Sequence, residues 1–308
     1  MDEGVEEKKH NKIKEFYDKQ YKKLLIIPFL LLLIAIGSIG YKLATTGDFL
    51  NRDVSLKGGL TVTVLLEKDI DILELENYLS SVFEDKNIAI RTLKKTGTQI
   101  GFVVNADIEA QKSEIDSLIS TIEKKIDFKL TEDDYSVEFI GSSLGASFFK
   151  ETFIALVIAF LFMGFVVFLY FRIPIPSLAV ILAAVSDIII TLAIVNFLGI
   201  KISTAGIAAF LMLIGYSVDT DILLSTRVLK RKEGEIIDRV LNAFKTGIVM
   251  SITTLTAVSL ALIFTESETI KQIMMILLIG LLVDLINTWI QNVGILRWYL
   301  EKKAVKNE

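Results

Sequence analysis

The chain contains no cysteine, so neither a disulfide framework nor thiolate catalysis is open to it. It has a single histidine, His10, in a Lys/Glu-rich stretch where a solvated side chain is expected. No Gly-x-x-x-x-Gly-Lys-Ser/Thr loop is present, so direct ATP hydrolysis is not expected. An excess of positive charge is also missing. Lys and Arg total 33 against 37 Asp and Glu, a net charge of −4, with a pI near 5.4. That balance excludes the basic footprint of a nucleic-acid binder. The chain is read as non-enzymatic and without cofactors. What it has in abundance is apolar surface: 52% of 308 residues, with mean hydropathy +0.56. That exceeds an ordinary soluble domain. Charged residues still make up 23%, so the polar part must be concentrated elsewhere in the chain.

Six stretches approach the roughly 20 apolar residues that a spanning helix needs: 24–43, 152–171, 177–198, 202–224, 246–264 and 270–290. The first is long and lacks a small-residue cleavage site, so it reads as a helix and not as a signal peptide. Five segments follow residue 150, and about 106 residues of soluble character separate them from the first. The expected organisation is a tail at 1–23, a first transmembrane helix at 24–44 and a soluble domain at 45–150. A five-helix bundle at 151–300 and a tail at 301–308 complete it. Eighteen Lys and Arg residues flank the spans on one side, Arg172, Arg227 and Lys245 among them. The opposite short turns carry only Lys201 and Lys271. By the positive-inside rule both termini are cytoplasmic and residues 45–150 lie outside, in a multi-pass protein of the cell membrane surrounded by lipid.

Within 45–150 the patterns alternate. Residues 60–66 read as a β-branched strand and 70–83 as a helix. Residues 88–93 and 100–104 read as a hairpin around Thr96-Gly97-Thr98, 108–128 as a second helix, and 135–140 as a last strand. The order β-α-β-β-α-β is the split, ferredoxin-like pattern. The domain's net charge is −7, which fits either an ordinary solvated surface or an acidic surface facing a secreted or basic partner. No metal, nucleophile or paired-carboxylate signature stands out in it.

Four carboxylates fall inside the spans: Asp187, Asp219, Asp221 and Asp284. Each costs roughly 2.5–3.5 kcal/mol or more at the bilayer centre on insertion scales, so each marks a site of possible function. At 1.5 Å per residue Asp187 sits about 17 Å from the inner surface, Asp219 about 12 Å, Thr253 and Thr254 about 12–14 Å, and Asp284 about 20 Å. Three helices thus bring polar groups to a similar level. Such a layer carries protons or holds helices together by hydrogen bonds. Asp187 and Asp219 are expected to be the coupling pair, with Asp219 the better candidate. Asp221 lies about 200° around the helix from Asp219 and is expected to pair with another helix or with the inner interface.

The string Gly215-Tyr216-Ser217-Val218-Asp219-Thr220-Asp221, running on to Arg227, resembles a signature of the SecD/SecF family of protein-export membrane subunits, relatives of the resistance-nodulation-division (RND) transporters. Three further blocks agree: Asp53-Val54-Ser55-Leu56-Lys57-Gly58-Gly59, Ile140-Gly141-Ser142-Ser143-Leu144-Gly145, and Ser186-Asp187-Ile188-Ile189-Ile190-Thr191. The stretch Asp284-Leu285-Ile286-Asn287-Thr288-Trp289 is similar to the archaeal form. Bacterial members usually carry Asn-Asp where this chain has Asp219-Thr220, so its carboxylate is displaced by one residue.

The resemblance implies six transmembrane helices, half of an RND-type transporter, plus an extracytoplasmic α+β ferredoxin-like domain. It implies a SecF-like accessory subunit that assists export with a SecD-like subunit, the Sec translocon channel and the exported polypeptide, coupled to the proton or sodium motive force. In the family a basic residue at the start of the fifth helix takes part in coupling, and Lys245 stands near that place. Two other readings stay open: half of a small-molecule or lipid exporter, and a scaffold that transports nothing. Gly206, Gly215 and Gly280 are expected to permit close helix approach. Gly58, Gly59, Gly141 and Gly145 sit at the junctions of the outer domain, serving either hinges or tight turns.

Overall fold

The protein is described by a computed structural model covering residues 20–66, 68–84, 86, 88–95, 98–108, 111–230 and 235–306. His10 and the lysines before residue 20, the Thr96-Gly97 turn, and Arg231 and Lys232 lie outside the described residues.

Among the described residues six helices are long and apolar enough to cross a membrane: Gln20–Thr46, Ser142–Phe171, Pro174–Phe197, Thr204–Lys230, Ile236–Phe264 and Thr269–Lys303. We label the regular segments α1 (Ile26–Thr46), α5 (Ser142–Phe171), α6 (Pro174–Phe197), α7 (Thr204–Lys230), α8 (Ile236–Phe264), α9 (Glu268–Ile286) and α10 (Val293–Lys306), with a π-helical turn at Asn287–Asn292 joining the last two. Local chemistry sets their ends. Gly47, with φ 75°, closes α1 in the left-handed conformation that glycine adopts without strain. Pro174 opens α6 at a position whose N–H has no helical partner to lose. The side chain of Ser267 caps α9.

Helices α5 and α8 each begin about ten residues earlier than their apolar stretches predict. A hydropathy window marks only the part that lies in hydrocarbon, and the backbone ladder continues into the polar flanks. Thirty residues of α5 span about 45 Å, well beyond a hydrocarbon core of about 30 Å.

Helices α6 and α7 and the last long helix form the centre of the bundle, each about half buried, while α1, α5 and α8 stand at its rim. Small residues let the central helices close up. A Cβ on Gly280 would lie 2.5 Å from the Leu213 side chain of α7, and one on Gly206 would lie 3.2 Å from Ile276 of α9. Ala35 of α1 packs with Ile190 and Ala193 of α6 and Val283 of α9. Gly215 does not join this set, contrary to expectation. It faces outward, and a Cβ there would meet nothing within 4 Å.

Between α1 and α5 lie a one-turn helix α2 (Val54–Lys57) and a small domain of β1 (Gly59–Leu65), α3 (Ile72–Val82), β2 (Ile88–Lys95), β3 (Thr98–Ala106), α4 (Lys112–Ile126) and β4 (Tyr135–Ile140). The strand order is β2-β3-β1-β4, and every pairing is antiparallel, as in a ferredoxin-like sheet. Alternation in β1 turns Leu60, Val62 and Val64 into the core, where they meet Leu75 and Leu79 of α3 and Leu118 and Ile122 of α4. Burying each of those leucines contributes about 1.5–3 kcal/mol. Asp71 caps α3 by accepting a hydrogen bond from the Glu74 amide at 3.1 Å, within an Asp-x-x-Glu start.

The domain is fastened to the bundle at two places. The Asp53 amide donates to the Ile202 carbonyl at 2.9 Å, and the Ile202 amide donates to the Asn51 carbonyl at 2.6 Å. The chain entering the domain is thereby clipped to the turn between α6 and α7. At the second place α2 crosses the start of α5. A Cβ on Gly58 would lie 2.5 Å from the Ser142 Cα, and one on Gly145 would lie 2.5 Å from the Gly58 nitrogen. Gly58 (φ 88°) and Gly59 (φ 136°) adopt backbone conformations that L side chains rarely reach. Gly59 also abuts the Ala106 carbonyl, whereas Gly141 has ordinary clearance. The glycines at Gly58, Gly59 and Gly145 thus serve close backbone approach, which narrows the room for an open hinge.

Candidate functional site: a buried carboxylate layer

Three aspartates converge inside the bundle, and they are not the pair the sequence singled out. Asp187 of α6, Asp221 of α7 and Asp284 of α9 are each 1% exposed or less. Asp187 accepts from the Ser217 hydroxyl at 2.5 Å through Oδ2 and from Asn287 Nδ2 at 2.7 Å through Oδ1. Asp221 Oδ1 accepts from Asn292 Nδ2 at 2.7 Å and from the Thr288 hydroxyl at 2.9 Å. The same hydroxyl lies 3.0 Å from Asp284 Oδ1. Hydrogen bonds to charged groups are worth about 1.5–3 kcal/mol each, and these offset part of the cost of burying carboxylates.

Thr288 has one O–H and two acceptor lone pairs. It can donate to only one of the two carboxylates that flank it. Both contacts of Thr288 are satisfied at once when one of those carboxyls carries a proton and donates it to the Thr288 oxygen. This geometry suits a proton that changes sides.

The partners come from the π-helical turn. Asn287, Thr288, Gln291 and Asn292 are all buried, and Gln291 Nε2 donates to the Ser186 hydroxyl at 3.2 Å. Their spacing of one, three and one residues gathers four polar side chains on one side of the turn. Turns of π type recur at functional sites in helices. Trp289, on the other side, seats its ring against Gly247 of α8, where a Cβ would lie 2.3 Å from it, and meets Phe244 edge-on at 5.0 Å. Several oxygens of the layer, namely Asp221 Oδ2, Asn287 Oδ1, Gln291 Oε1 and Asn292 Oδ1, accept no hydrogen bond from the protein. Sequence reasoning missed Ser217, Gln291 and Asn292. The signal was present: four amide or hydroxyl side chains in six residues within an apolar span.

The remaining expected residues stand elsewhere. Asp219 is exposed on the outer side of α7, in a stripe with Met212, Gly215 and Tyr216, so it is no neighbour of Asp187. Two residues of helix turn it about 200° away from Asp221, and it is Asp221 that faces inward. Lys245 is exposed on α8. Thr253 is exposed and Thr254 partly so, and their hydroxyls donate to Met250 and Val249 carbonyls of their own helix. Thr253 and Thr254 therefore add no hydrogen bond to the layer. That corrects the expectation of a shared level built from α6, α7 and α8, because the third contributor is the last helix.

Comparison with known proteins agrees with this architecture. Residues 120–302 match the family model described as protein export membrane protein SecD/SecF, C-terminal. The chain is 38% identical over 300 residues to the protein-export membrane protein SecF of Methanocaldococcus jannaschii, covering 94% of this chain and 99% of that one. It is 39% identical to SecF of Methanothermobacter thermautotrophicus, covering 93% and 95%, and 35% identical to SecF of Pyrococcus furiosus, covering 96% of each. Its fold is similar to that of SecDF, a translocon-associated membrane protein from Thermus thermophilus, with TM-score 0.69 and 20% identity. That alignment covers 91% of this chain and 38% of the longer SecDF chain. With its six apolar helices, its ferredoxin-like domain and these relatives of near-equal length, the chain belongs to the SecF family of protein-export membrane proteins.

Proposed function

We propose that this chain is the SecF-like half of an accessory pump of the Sec translocase, working with a SecD-like subunit to assist export of polypeptides across the cytoplasmic membrane. The coupling ion moves through the layer formed by Asp187, Asp221 and Asp284, and its passage drives the export step. The observation that carries this reading is the Asp221–Thr288–Asp284 chain. It joins two helices through one hydroxyl that can pass a proton but cannot satisfy two carboxylates at once. One charge crossing 100 mV is worth roughly 2.3 kcal/mol, enough to bias such a step. In this reading both termini are cytoplasmic, and the α/β domain at 45–150 stands outside, where it meets the emerging polypeptide.

The second half is argued from the outer stripe of α7. An ionisable group left against lipid at the depth of Asp219 is costly, so that face is covered in the working complex. Midplane sites in secondary transporters form at the interface between two repeats, and this chain supplies one of them. Asp219, Tyr216 and Gly215, with Lys245 and Thr253 of neighbouring α8, lie on the surface that meets the SecD-like partner.

The test is export into vesicles that carry the whole complex, with and without an ion gradient. Asp221→Asn and Asp187→Asn keep the hydrogen-bonding shape and lose the charge. Each should remove at least tenfold of the gradient-driven stimulation while the complex still assembles. Full stimulation in both variants would refute ion coupling and favour a scaffold.

A further inference from the structure

A second charged site lies at the other end of the bundle, where the α/β domain meets the helices. The end of α1, the chain at 48–57 and the α6–α7 turn enclose a cavity of about 330 Å³. Four cations line it, Lys42, Arg52, Lys57 and Lys201, with one carboxylate, Asp48, while Lys201 also interacts with Asp53 and Glu76. Asp48 is already shared. Arg52 Nη2 holds one oxygen at 2.5 Å, and Lys57 Nζ lies 3.8 Å from the other. Lys42 donates to the side-chain oxygens of Asn51 and Asn196, both neutral amides, and the carboxylate that acts on it is the same, already shared Asp48. Arg52 Nε is buried and donates to no protein atom, while the guanidinium lies 5.1 Å from the Phe149 ring centre.

The surroundings say what kind of anion fits. Lys42 sits in the last two turns of α1, between exposed Tyr41 and Leu43. Gly199, which lines the cavity, follows Phe197 and Leu198, exposed by 90% and 56%. Cationic walls therefore stand directly beside apolar surface at the point where helices leave the bilayer. A soluble anion needs only the cations, whereas a lipid needs both. The volume is about ten times a water molecule's share of the liquid, room for a phosphodiester and part of its polar headgroup.

We propose that this cavity binds the phosphate of an anionic membrane lipid in the leaflet on the α/β-domain side. Arg52 supplies the planar fork that suits phosphate oxygens, and Lys42, Lys57 and Lys201 supply point charges. The acyl chains lie along Leu43, Phe197 and Leu198. The bound lipid would fill the space between the domain's entry chain and the α6–α7 turn and so bear on the angle between domain and bundle. This requires only that the six helices lie in a membrane, and it is independent of the ion layer.

The test uses the full chain reconstituted in nanodiscs of phosphatidylcholine with or without phosphatidylglycerol, then transferred to detergent and read by native mass spectrometry. The wild type should retain phosphatidylglycerol at least tenfold over phosphatidylcholine. Lys57→Gln and Arg52→Gln should each lower that preference at least threefold, and Lys57→Arg should restore it. The pair Lys302→Gln and Lys303→Gln, at the opposite end of the bundle, should leave it unchanged. Thermal unfolding of each variant in phosphatidylcholine alone reports on folding separately. Equal retention in wild type and Lys57→Gln would overturn the proposal. So would full displacement of the lipid by millimolar inorganic phosphate, which would mark a site for the free anion.

Discussion

Thr288 is the residue on which the layer turns. Its hydroxyl is the only group in hydrogen-bond contact with both Asp221 and Asp284 among the described residues. Thr288→Val keeps the volume and removes the relay. We expect it to abolish gradient-driven stimulation nearly as fully as Asp221→Asn, while Thr288→Ser retains most of it. The measurement is the same vesicle export assay, with assembly checked by co-purification. Stability should fall by about 1.5–3 kcal/mol in Thr288→Val, the worth of a hydrogen bond to a charged group. At this scale the sequence was only half legible. It gave four intramembrane carboxylates and the angle between Asp219 and Asp221, but not which of the two looks inward. Polar residues fall on both sides of α7, Tyr216 and Asp219 outside and Ser217 and Asp221 inside, so no polar face marks its outside. The choice depends on where α6 and α9 stand, and no local pattern in α7 contains that information.

At the scale of elements, legibility was much better, because strand alternation and helix length are local properties. Strand β4 falls at the residues the alternation indicated, and the sheet order follows from the split β-α-β-β-α-β pattern. The π-helical turn was not legible. It exists because Asn287, Asn292 and Thr288 reach partners on α6 and α7, and tertiary hydrogen bonds of that kind override the local ladder. The junction glycines suggest hinges or tight turns in the sequence, and the crossing of α2 over α5 makes Gly58 and Gly145 a tight backbone contact instead. Gly145→Val should therefore be severe, since its side chain would run into the backbone at Lys57 and Gly58. Overpacking of this sort costs about 1–3 kcal/mol where neighbours can yield, and backbone yields poorly. We expect a lower melting temperature for the detergent-purified protein and loss of export. Gly215→Ala, on the open face, should leave melting unchanged and act only on partner binding.

For the whole molecule the informative surface is the stripe of Met212, Gly215, Tyr216 and Asp219. The chain contains no cysteine, so single cysteines report without interference. Met212→Cys should crosslink to a second membrane chain in native membranes, and Leu33→Cys, exposed on α1, which packs on α6, should not. Mass spectrometry of the crosslinked band identifies the partner. Failure at Met212, with success at Leu33, would move the second half to another face. The bundle's six-helix plan was legible from hydropathy alone. Its arrangement of centre and rim was not, because lipid rewards apolar surface on every helix and leaves no outward signature.

The crossing at Gly58 and Gly145 has a mechanical meaning. Helix α5 continues for some 26 residues beyond Gly145, about 39 Å at 1.5 Å per residue. The contact near its outer end acts as a fulcrum with one long arm in the membrane and one short arm at the root of β1. A tilt of about 10° that displaces the far end by about 7 Å over that length shifts the backbone at the fulcrum by a small fraction of that distance. Because the domain is also clipped to the α6–α7 turn, the same tilt would load that clip and not turn the sheet freely. Backbone pressed on backbone leaves little slack in the joint, so the long arm's travel would reach the domain as strain between its two fastenings.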